Sequence, residues 1–353
     1  MNNIKIQVGD RYIGSHEPTY VVAEAGVNHN NSLERAKELI IAAAGAGADA
    51  IKFQTYKAER LVTKIAPRFW DWEGEVKREG TQYDSYSLLD KFPREHYPEL
   101  IKTCQENNIE FLSTPFDEES ADFLIGLGMR AIKISSSDVT YLPFLTHVAR
   151  SGLPIFLSTG ASTMGEIEEA VQTIERTGNH NIVIMHCTLC YPTAYKDANL
   201  RVIQTLSAVF PSYTIGLSDH TLGIAVPPAA VALGARMIEK HYTVDKTLPM
   251  SPDHHLSVDP SELQAMVASI RSVEAALGES AKRVFPAEEH TYKYDKRSLV
   301  ATRDISAGTV ITGEMLTGKR PGTGIRPKYM PVVVGRRASQ NIPEDTTLTW
   351  EMV

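Results

Sequence analysis

Cysteine is scarce in this chain: three residues in 353, at positions 104, 187 and 190. So few, and an odd number, exclude a disulfide framework in a chain of this size and fit a reducing compartment. Cys187 and Cys190 form a C-x-x-C, which raises a redox or zinc half-site. No second C-x-x-C accompanies it, and Tyr191-Pro192 follows where a thioredoxin-type pair would open a helix. The pair is therefore read as two small residues after a buried strand. No stretch approaches the roughly 20 apolar residues that span a bilayer. The opening MNNIKIQVGDRYIG lacks the apolar core of a secretion signal. The expectation is a cytoplasmic protein without a membrane partner. Positive charge is also in deficit, 36 Lys and Arg against 43 Asp and Glu for a net −7. That balance disfavours nucleic acid as a partner but leaves room for a local basic pocket around a small anion. Nucleotide signatures are missing too: Gly322-Thr323-Gly324 and Gly45-Ala46-Gly47 do not lie between a strand and a helix in the required order.

What is present is a repeat. With 42% hydrophobic and 22% charged residues the chain can bury a large core and more than one domain. Short apolar runs at 20–25, 50–53, 110–113, 131–134, 154–158, 182–186, 213–218 and 237–241 alternate with segments of helical period at 33–46, 98–107, 118–127, 142–149, 164–176, 200–210, 223–233 and 260–277. Eight βα units are the number that closes a barrel. An open doubly wound sheet is the alternative, but functional-looking residues follow nearly every strand and do not gather at one switch point. Residues 57–92, with Phe69-Trp70-Asp71-Trp72, are too long for an ordinary βα loop and read as a lid or a dimer contact. After position 277 the sequence turns polar. Short β-prone runs separated by Gly and Pro then suggest a second, mostly β module of about 55 residues, marginal alone on size grounds.

In a barrel, residues at the carboxyl ends of the strands face one pocket. Read in order these are Glu24, Lys52 with Gln54, Thr114, Lys133 with Ser136 and Asp138, Ser158, the 187–191 loop, Ser218 with His220, and Lys240 with His241. The lysines and the hydroxyls of Thr114, Ser136, Ser158 and Ser218 suit a small substrate carrying phosphate and carboxylate. Any one hydroxyl alone would be read as a strand-end cap; their recurrence on successive strands points to a site. Two histidines on neighbouring strands, near the carboxylate of Glu24, suit a divalent transition metal with positions left open for substrate.

Several stretches then resemble the sialic acid, or nonulosonate, synthase family: Ala23-Glu24-Ala25-Gly26-Val27-Asn28-His29-Asn30, Lys52-Phe53-Gln54, Leu112-Ser113-Thr114-Pro115-Phe116, Ser158-Thr159-Gly160, Gly216-Leu217-Ser218-Asp219-His220, Glu239-Lys240-His241, Pro252-Asp253-His254 and Lys319-Arg320-Pro321-Gly322. The resemblance implies a (β/α)8 TIM barrel over 1–285, a linker at 286–297 and a C-terminal antifreeze-like SAF domain over 298–353. It implies a homodimer in which each SAF domain is swapped over the partner's site. The implied enzyme is a transferase that condenses phosphoenolpyruvate with an N-acetylmannosamine-type aminosugar. It releases phosphate and gives a nine-carbon 2-keto acid such as N-acetylneuraminate. By residue matching, Lys52, Thr114, Lys133, Ser136, Ser158 and Ser218 hold phosphoenolpyruvate. Glu24, Gln54, Tyr191, Asp253 and the partner's Arg320 hold the sugar, and His220 and His241 bind Mn2+, with Mg2+ or Co2+ as alternatives. Glu24, Lys133 and Asp138 are the implied catalytic groups.

Two positions depart from the family pattern. Asp138 stands where Glu is usual, and Leu189 where Asn often precedes Tyr-Pro. The alternatives within the family are legionaminate and N-acetylneuraminate-9-phosphate synthesis, with pseudaminate synthesis further off. A phosphorylated acceptor needs an extra basic contact, for which Lys57 and Arg60 are the candidates. Outside the family stand a metal-dependent aldolase or 3-deoxy-sugar-acid synthase on the same barrel, and a glycan- or ice-binding protein suggested only by the antifreeze-like segment.

Overall fold

The structure, a computed structural model, describes residues 5–70 and 80–353. The chain divides into two compact units, Met1–Gly278 and Glu279–Val353. The first opens with an antiparallel hairpin, β1 (Lys5–Val8) and β2 (Arg11–Gly14), turned at Gly9 with φ 60°. Eight parallel strands follow: β3 (Tyr20–Gly26), β4 (Ala50–Thr55), β5 (Glu110–Pro115), β6 (Ile132–Ile134), β7 (Ile155–Ser158), β8 (Ile182–Cys187), β9 (Thr214–Asp219) and β10 (Met237–His241). Their order is β5-β4-β3-β10-β9-β8-β7-β6. The two end strands, β5 and β6, also lie side by side with Cα atoms within 8 Å, so the sheet rolls into the expected barrel. Among the described residues no helix is long and apolar enough to cross a membrane.

The helices start where the sequence supplies oxygen acceptors for orphan amides. Ser32 caps Leu33–Gly45, Asp117 caps Glu118–Gly126, and Thr163 with Glu166 forms a capping box on Met164–Glu175. Asp259, Pro260 and Glu262 do the same for Pro260–Leu277. The helix Val226–Ala232 ends with Gly234 at φ 108°, a conformation that favours glycine.

Strand alternation sorts the barrel into two cores. Outward-facing residues such as Val21, Ala23, Ile51, Leu157, Ile184 and Leu217 pack against the helices. Inward-facing residues Tyr20, Val22, Ala50, Leu112, Phe156, Val183, Met185 and Met237 fill the lower barrel, and Ile6, Val8 and Ile13 of the hairpin plug its floor. Gly216 is needed inside: a Cβ there would stand 2.9 Å from the Met237 carbonyl oxygen.

The second unit has its own core around Leu299, Ile305, Ile311, Ile342 and Leu348. Its two strands, β11 (Ser298–Ala301) and β12 (Leu316–Lys319), pair antiparallel. Gly322 and Gly324 are backbone packing points: added side chains would strike Lys296 and the Leu348 carbonyl. The segment expected as a linker is not extended. It holds a 3-10 turn, Pro286–Glu288, whose start is closed by the Phe285 amide donating to the Glu288 carboxylate, followed by a helix, Glu289–Tyr294.

Candidate active site

The inward residues change from apolar to polar as each strand reaches its carboxyl end. Glu24, Lys52, Gln54, Thr114, Lys133, Ser158, Cys187, Ser218, Glu239 and His241 all follow the same parity as the lower barrel core, and all line one cavity with Ser136, Tyr191 and His220. The strand-borne part of the cavity is thus a product of the strand period, and Ser136 and Tyr191 are added from the loops that follow β6 and β8.

Its centre is a lattice of buried charges. Lys52 Nζ lies 2.5 Å from Glu24 Oε2, donates to Thr114 Oγ1 at 2.9 Å, and stands 3.7 Å from Glu239 Oε2. Lys133 Nζ approaches Glu239 Oε1 at 3.6 Å, and the Ser218 hydroxyl donates to that oxygen at 3.0 Å. Gln54 donates to Glu24 Oε1 at 3.1 Å. Burial pushes the Glu24 carboxyl up to about 7 against the opposing pull of Lys52. Glu239 is also penalised by burial, but Lys133 and Lys52 together hold it below the usual carboxylate range. Each lysine therefore already faces a carboxylate, and the pocket is less cationic than the strand-end lysines alone suggested. The Ser158 hydroxyl is buried without a hydrogen-bond partner, and Ser136 accepts from the Gly160 amide at 2.9 Å.

The two histidines meet as the sequence pairing required. Their ring centroids are 5.2 Å apart, and Tyr191 stacks on His220 at 4.0 Å with its edge toward His241. His220 Nδ1 sits 2.9 Å from the Thr188 carbonyl, which fixes the proton on Nδ1 and leaves Nε2 a lone pair. His241 Nδ1 is buried without a hydrogen-bond partner, 3.4 Å from Asp253 Oδ2. Burial, then the charge of His220 and the nearby lysines, holds His241 neutral. The orphaned His241 ring and the His220 ring oriented from behind are two nitrogen ligands that fit a divalent ion; burial disfavours a proton on His220, but Cys187 and the Thr188 carbonyl raise it above the ordinary imidazole range, so a bound ion would displace that proton. Among the described residues no group of three or more His, Cys, Asp or Glu is arranged to hold one, so such an ion would take its remaining ligands from substrate and water.

One strand-end assignment is corrected here. Lys240 does not face the cavity: strand parity turns it outward, where it is fully buried against Asp219 at 2.7 Å and the Thr221 carbonyl. Glu239, its neighbour, takes the inward place, and counting back two residues from His241 would have found it. Asp138 is not in the lining. It sits behind Ser136 in the 3-10 turn Ser136–Asp138, with Oδ2 buried and unpartnered and burial pushing its carboxyl up to about 7 against the Lys133 charge. Cys187 and Cys190 are free thiols, the first buried in the lining and the second exposed. Arg320 belongs to the second unit, where it pairs with Asp295 at 2.6 Å. Lys57 donates to the Asp90 carbonyl at 2.8 Å, and Arg60 pairs with Glu119 and with Asp117. Neither lines the cavity. Asp71 and Trp72 lie outside the described residues; the rest of the 57–92 segment contributes the helices Ala58–Leu61 and Gln82–Leu89.

An eight-stranded parallel barrel carries its site at the carboxyl ends of the strands, and here that end gathers buried charges and hydroxyls. Residues 39–282 match the NeuB family and residues 296–353 match the SAF domain. The chain belongs to the NeuB family. An N,N'-diacetyllegionaminic acid synthase of Legionella pneumophila is 42% identical over 96% of each chain. The human N-acetylneuraminate-9-phosphate synthase is 35% identical over 97% of this chain and 95% of its own. Among solved structures, the N-acetylneuraminic acid (sialic acid) synthetase of Leptospira borgpetersenii aligns with a TM-score of 0.72 and 36% identity, covering 82% of this chain and 95% of that one. The chain is accordingly an enzyme of a family of nonulosonic acid synthases, and the glycan- or ice-binding reading is set aside.

Proposed function

We propose that the enzyme joins phosphoenolpyruvate to the open-chain aldehyde of an N-acetylated, mannosamine-type aminosugar and releases phosphate. What most supports this reading is the convergence of Lys52 and Lys133 on one buried carboxylate, Glu239, with the unpartnered Ser158 hydroxyl in the same cavity. A ligand's phosphate and carboxylate would draw these lysines away from Glu239 and give Ser158 an acceptor. Thr114, Ser136 and Ser218 complete the anion cradle.

In the reaction, C3 of phosphoenolpyruvate forms a bond to the aldehyde carbon, and the aldehyde oxygen takes up a proton. Water adds at C2 and loses a proton; phosphate then leaves, taking up the proton of the new C2 hydroxyl, and the 2-ketone remains. Gln54, Tyr191 and Asp253 orient the sugar, with Arg320 of the partner subunit as a further contact. Glu24, held between Lys52 and Gln54, is the carboxyl placed to exchange the proton at the acceptor oxygen. Asp138, with its unpartnered Oδ2 and its carboxyl raised by burial to about 7, acts as the base for the water. A divalent ion, Mn2+ first among candidates, held by His220 and His241, would supply Lewis-acid polarisation of the aldehyde.

The test is phosphate release from phosphoenolpyruvate with a panel of N-acetylated aminosugars and product mass. We expect turnover with Mn2+, loss with EDTA and recovery on readdition. No phosphate with any such sugar would overturn the reading, and turnover surviving exhaustive chelation would remove the metal from it.

A further inference from the structure

The C-x-x-C run marks a detour in the barrel wall. Cys187 ends β8 opposite Ser218 of β9, and the two chains meet again where Thr193 bridges Thr221. Between those points one chain advances from 187 to 193 and the other only from 218 to 221. The surplus length of 188–192 therefore loops out of the wall, with Leu189 and Tyr191 in the cavity lining.

That detour supplies both contacts that orient His220. The Thr188 carbonyl stands 2.9 Å from His220 Nδ1, and the Tyr191 ring lies on the imidazole with centroids 4.0 Å apart. Thr193, buried where the detour closes, holds its neck. Its amide donates to the His220 carbonyl at 2.9 Å. Its hydroxyl faces two carbonyls of the detour, Cys190 at 2.9 Å and Thr188 at 3.2 Å. One hydroxyl hydrogen is thus shared across the neck, and one of the two oxygens it steadies is the acceptor of His220 Nδ1. Thr193 itself is not part of the cavity lining.

We infer that Thr193 is a positioning residue for His220: its hydroxyl closes the neck of the 188–192 detour and so holds the Thr188 carbonyl and the Tyr191 ring that aim Nε2 into the cavity. A metal-binding imidazole depends on the partner of its other ring nitrogen for its orientation. When that partner moves, the ring rotates more freely, and binding has to restore an orientation that the free protein no longer holds. Without the Thr193 hydroxyl, the Thr188 carbonyl still receives the Cys190 amide at 2.8 Å, and the Thr188 hydroxyl still donates to the Asp197 carbonyl at 3.0 Å. The detour is then loosened and not unfolded. The inference rests on the proposed function, in which His220 and His241 take a divalent ion.

The test is Mn2+ binding to the intact chain, stripped with EDTA, dialysed and titrated with the ion alone, free Mn2+ being read by electron paramagnetic resonance. Thr193→Val removes the hydroxyl and keeps the shape; Thr193→Ser keeps the hydroxyl. Thr173→Val is the structural control, since Thr173 is buried in the helix Met164–Glu175 and donates to the Glu169 carbonyl at 2.7 Å, outside the cavity lining. The Kd for Mn2+ should rise about 10-fold or more in Thr193→Val, as for other losses behind a metal-bound histidine, and return to within about 3-fold of the natural value in Thr193→Ser. Thr173→Val should leave it unchanged. Thr193→Ala, free of any crowding by the valine methyl, carries the same expectation as Thr193→Val if the latter does not fold. In turnover, raising Mn2+ should recover most of the Thr193→Val loss, with the KM for phosphoenolpyruvate unchanged. Natural Mn2+ affinity in Thr193→Val, equal weakening in Thr193→Ser, or equal weakening in Thr173→Val overturns the inference while the metal reading stands. A natural chain that binds no Mn2+ overturns the metal reading and the inference with it.

Discussion

Asp138 carries a carboxylate oxygen that no donor reaches, on a side chain held mostly away from solvent. Its carboxyl is raised from an ordinary 3.8 to about 7, burial being the first cause and Lys133 opposing it. The folded protein therefore keeps this proton between about pH 4 and 7, where the unfolded chain has released it. The stability of the fold falls as pH rises through that window and stays reduced above it. Asp138→Asn removes the ionisation and should raise stability at pH 8 by roughly 1–3 kcal/mol, below the full linkage value because the group keeps some solvent contact. Near pH 4 the variant and the natural protein should unfold at similar urea concentrations. If Asp138 is the base for the attacking water, the same variant loses about 10²–10⁴ in kcat. Greater stability with lower turnover is the pairing expected of a functional group retained at a cost to the fold. An unchanged kcat would assign the water to another carboxyl of the lining, Glu239 or Glu24.

At the scale of elements, strands β9 and β10 are clasped from behind. Lys240 Nζ is fully buried, bonds Asp219 Oδ2 at 2.7 Å and reaches the Thr221 carbonyl, while Asp219 also accepts from the Thr221 amide at 3.0 Å. The outward pair thus fixes the two strand ends whose next residues, His220 and His241, face the cavity. Lys240→Met strands a buried carboxylate and should cost about 3–5 kcal/mol in urea unfolding. Asp219→Leu combined with Lys240→Met should recover most of that loss, since no charge is then left unpaired. If the double variant is as unstable as the single one, the cost comes from packing and not from charge. This pair also shows what was legible in the sequence. The eight runs, the helix starts and the two histidines could be read from period and caps. The inward or outward sense of each strand end could have been read too, by carrying the two-residue period up from Met237 through Glu239 to His241. The charge of Lys240 suggests a pocket residue, and only its parity shows that it faces outward. The β1–β2 hairpin was missed for a similar reason: Ile6 and Val8 alternate with polar residues before a Gly9-Asp10 turn, but a pattern of four residues is short. Glu24 facing Lys52 depends on a contact between distant segments that no local period encodes.

At the scale of the whole molecule, two units with separate cores are joined in one chain, and Arg320 lies in the second. The family resemblance implies that it completes a site in the partner's barrel, and subunit mixing tests this directly. Lys52→Ala removes a residue of the anion cradle, and Arg320→Ala a contact for the sugar. Each homodimer should be impaired, the first in overall turnover, the second chiefly through a raised KM for the sugar with little change for phosphoenolpyruvate. If second units are swapped, a mixed dimer holds one site with natural Lys52 and natural Arg320 and one site with neither. Random reassortment makes about half of the dimers mixed, so about a quarter of wild-type turnover should return at low sugar concentration. If each second unit serves its own barrel, no mixed dimer contains a complete site and mixing restores nothing. The recovery must also follow exchange: it should be absent immediately after the two variants are combined and grow at the rate at which subunits trade partners, measured in parallel by native mass spectrometry.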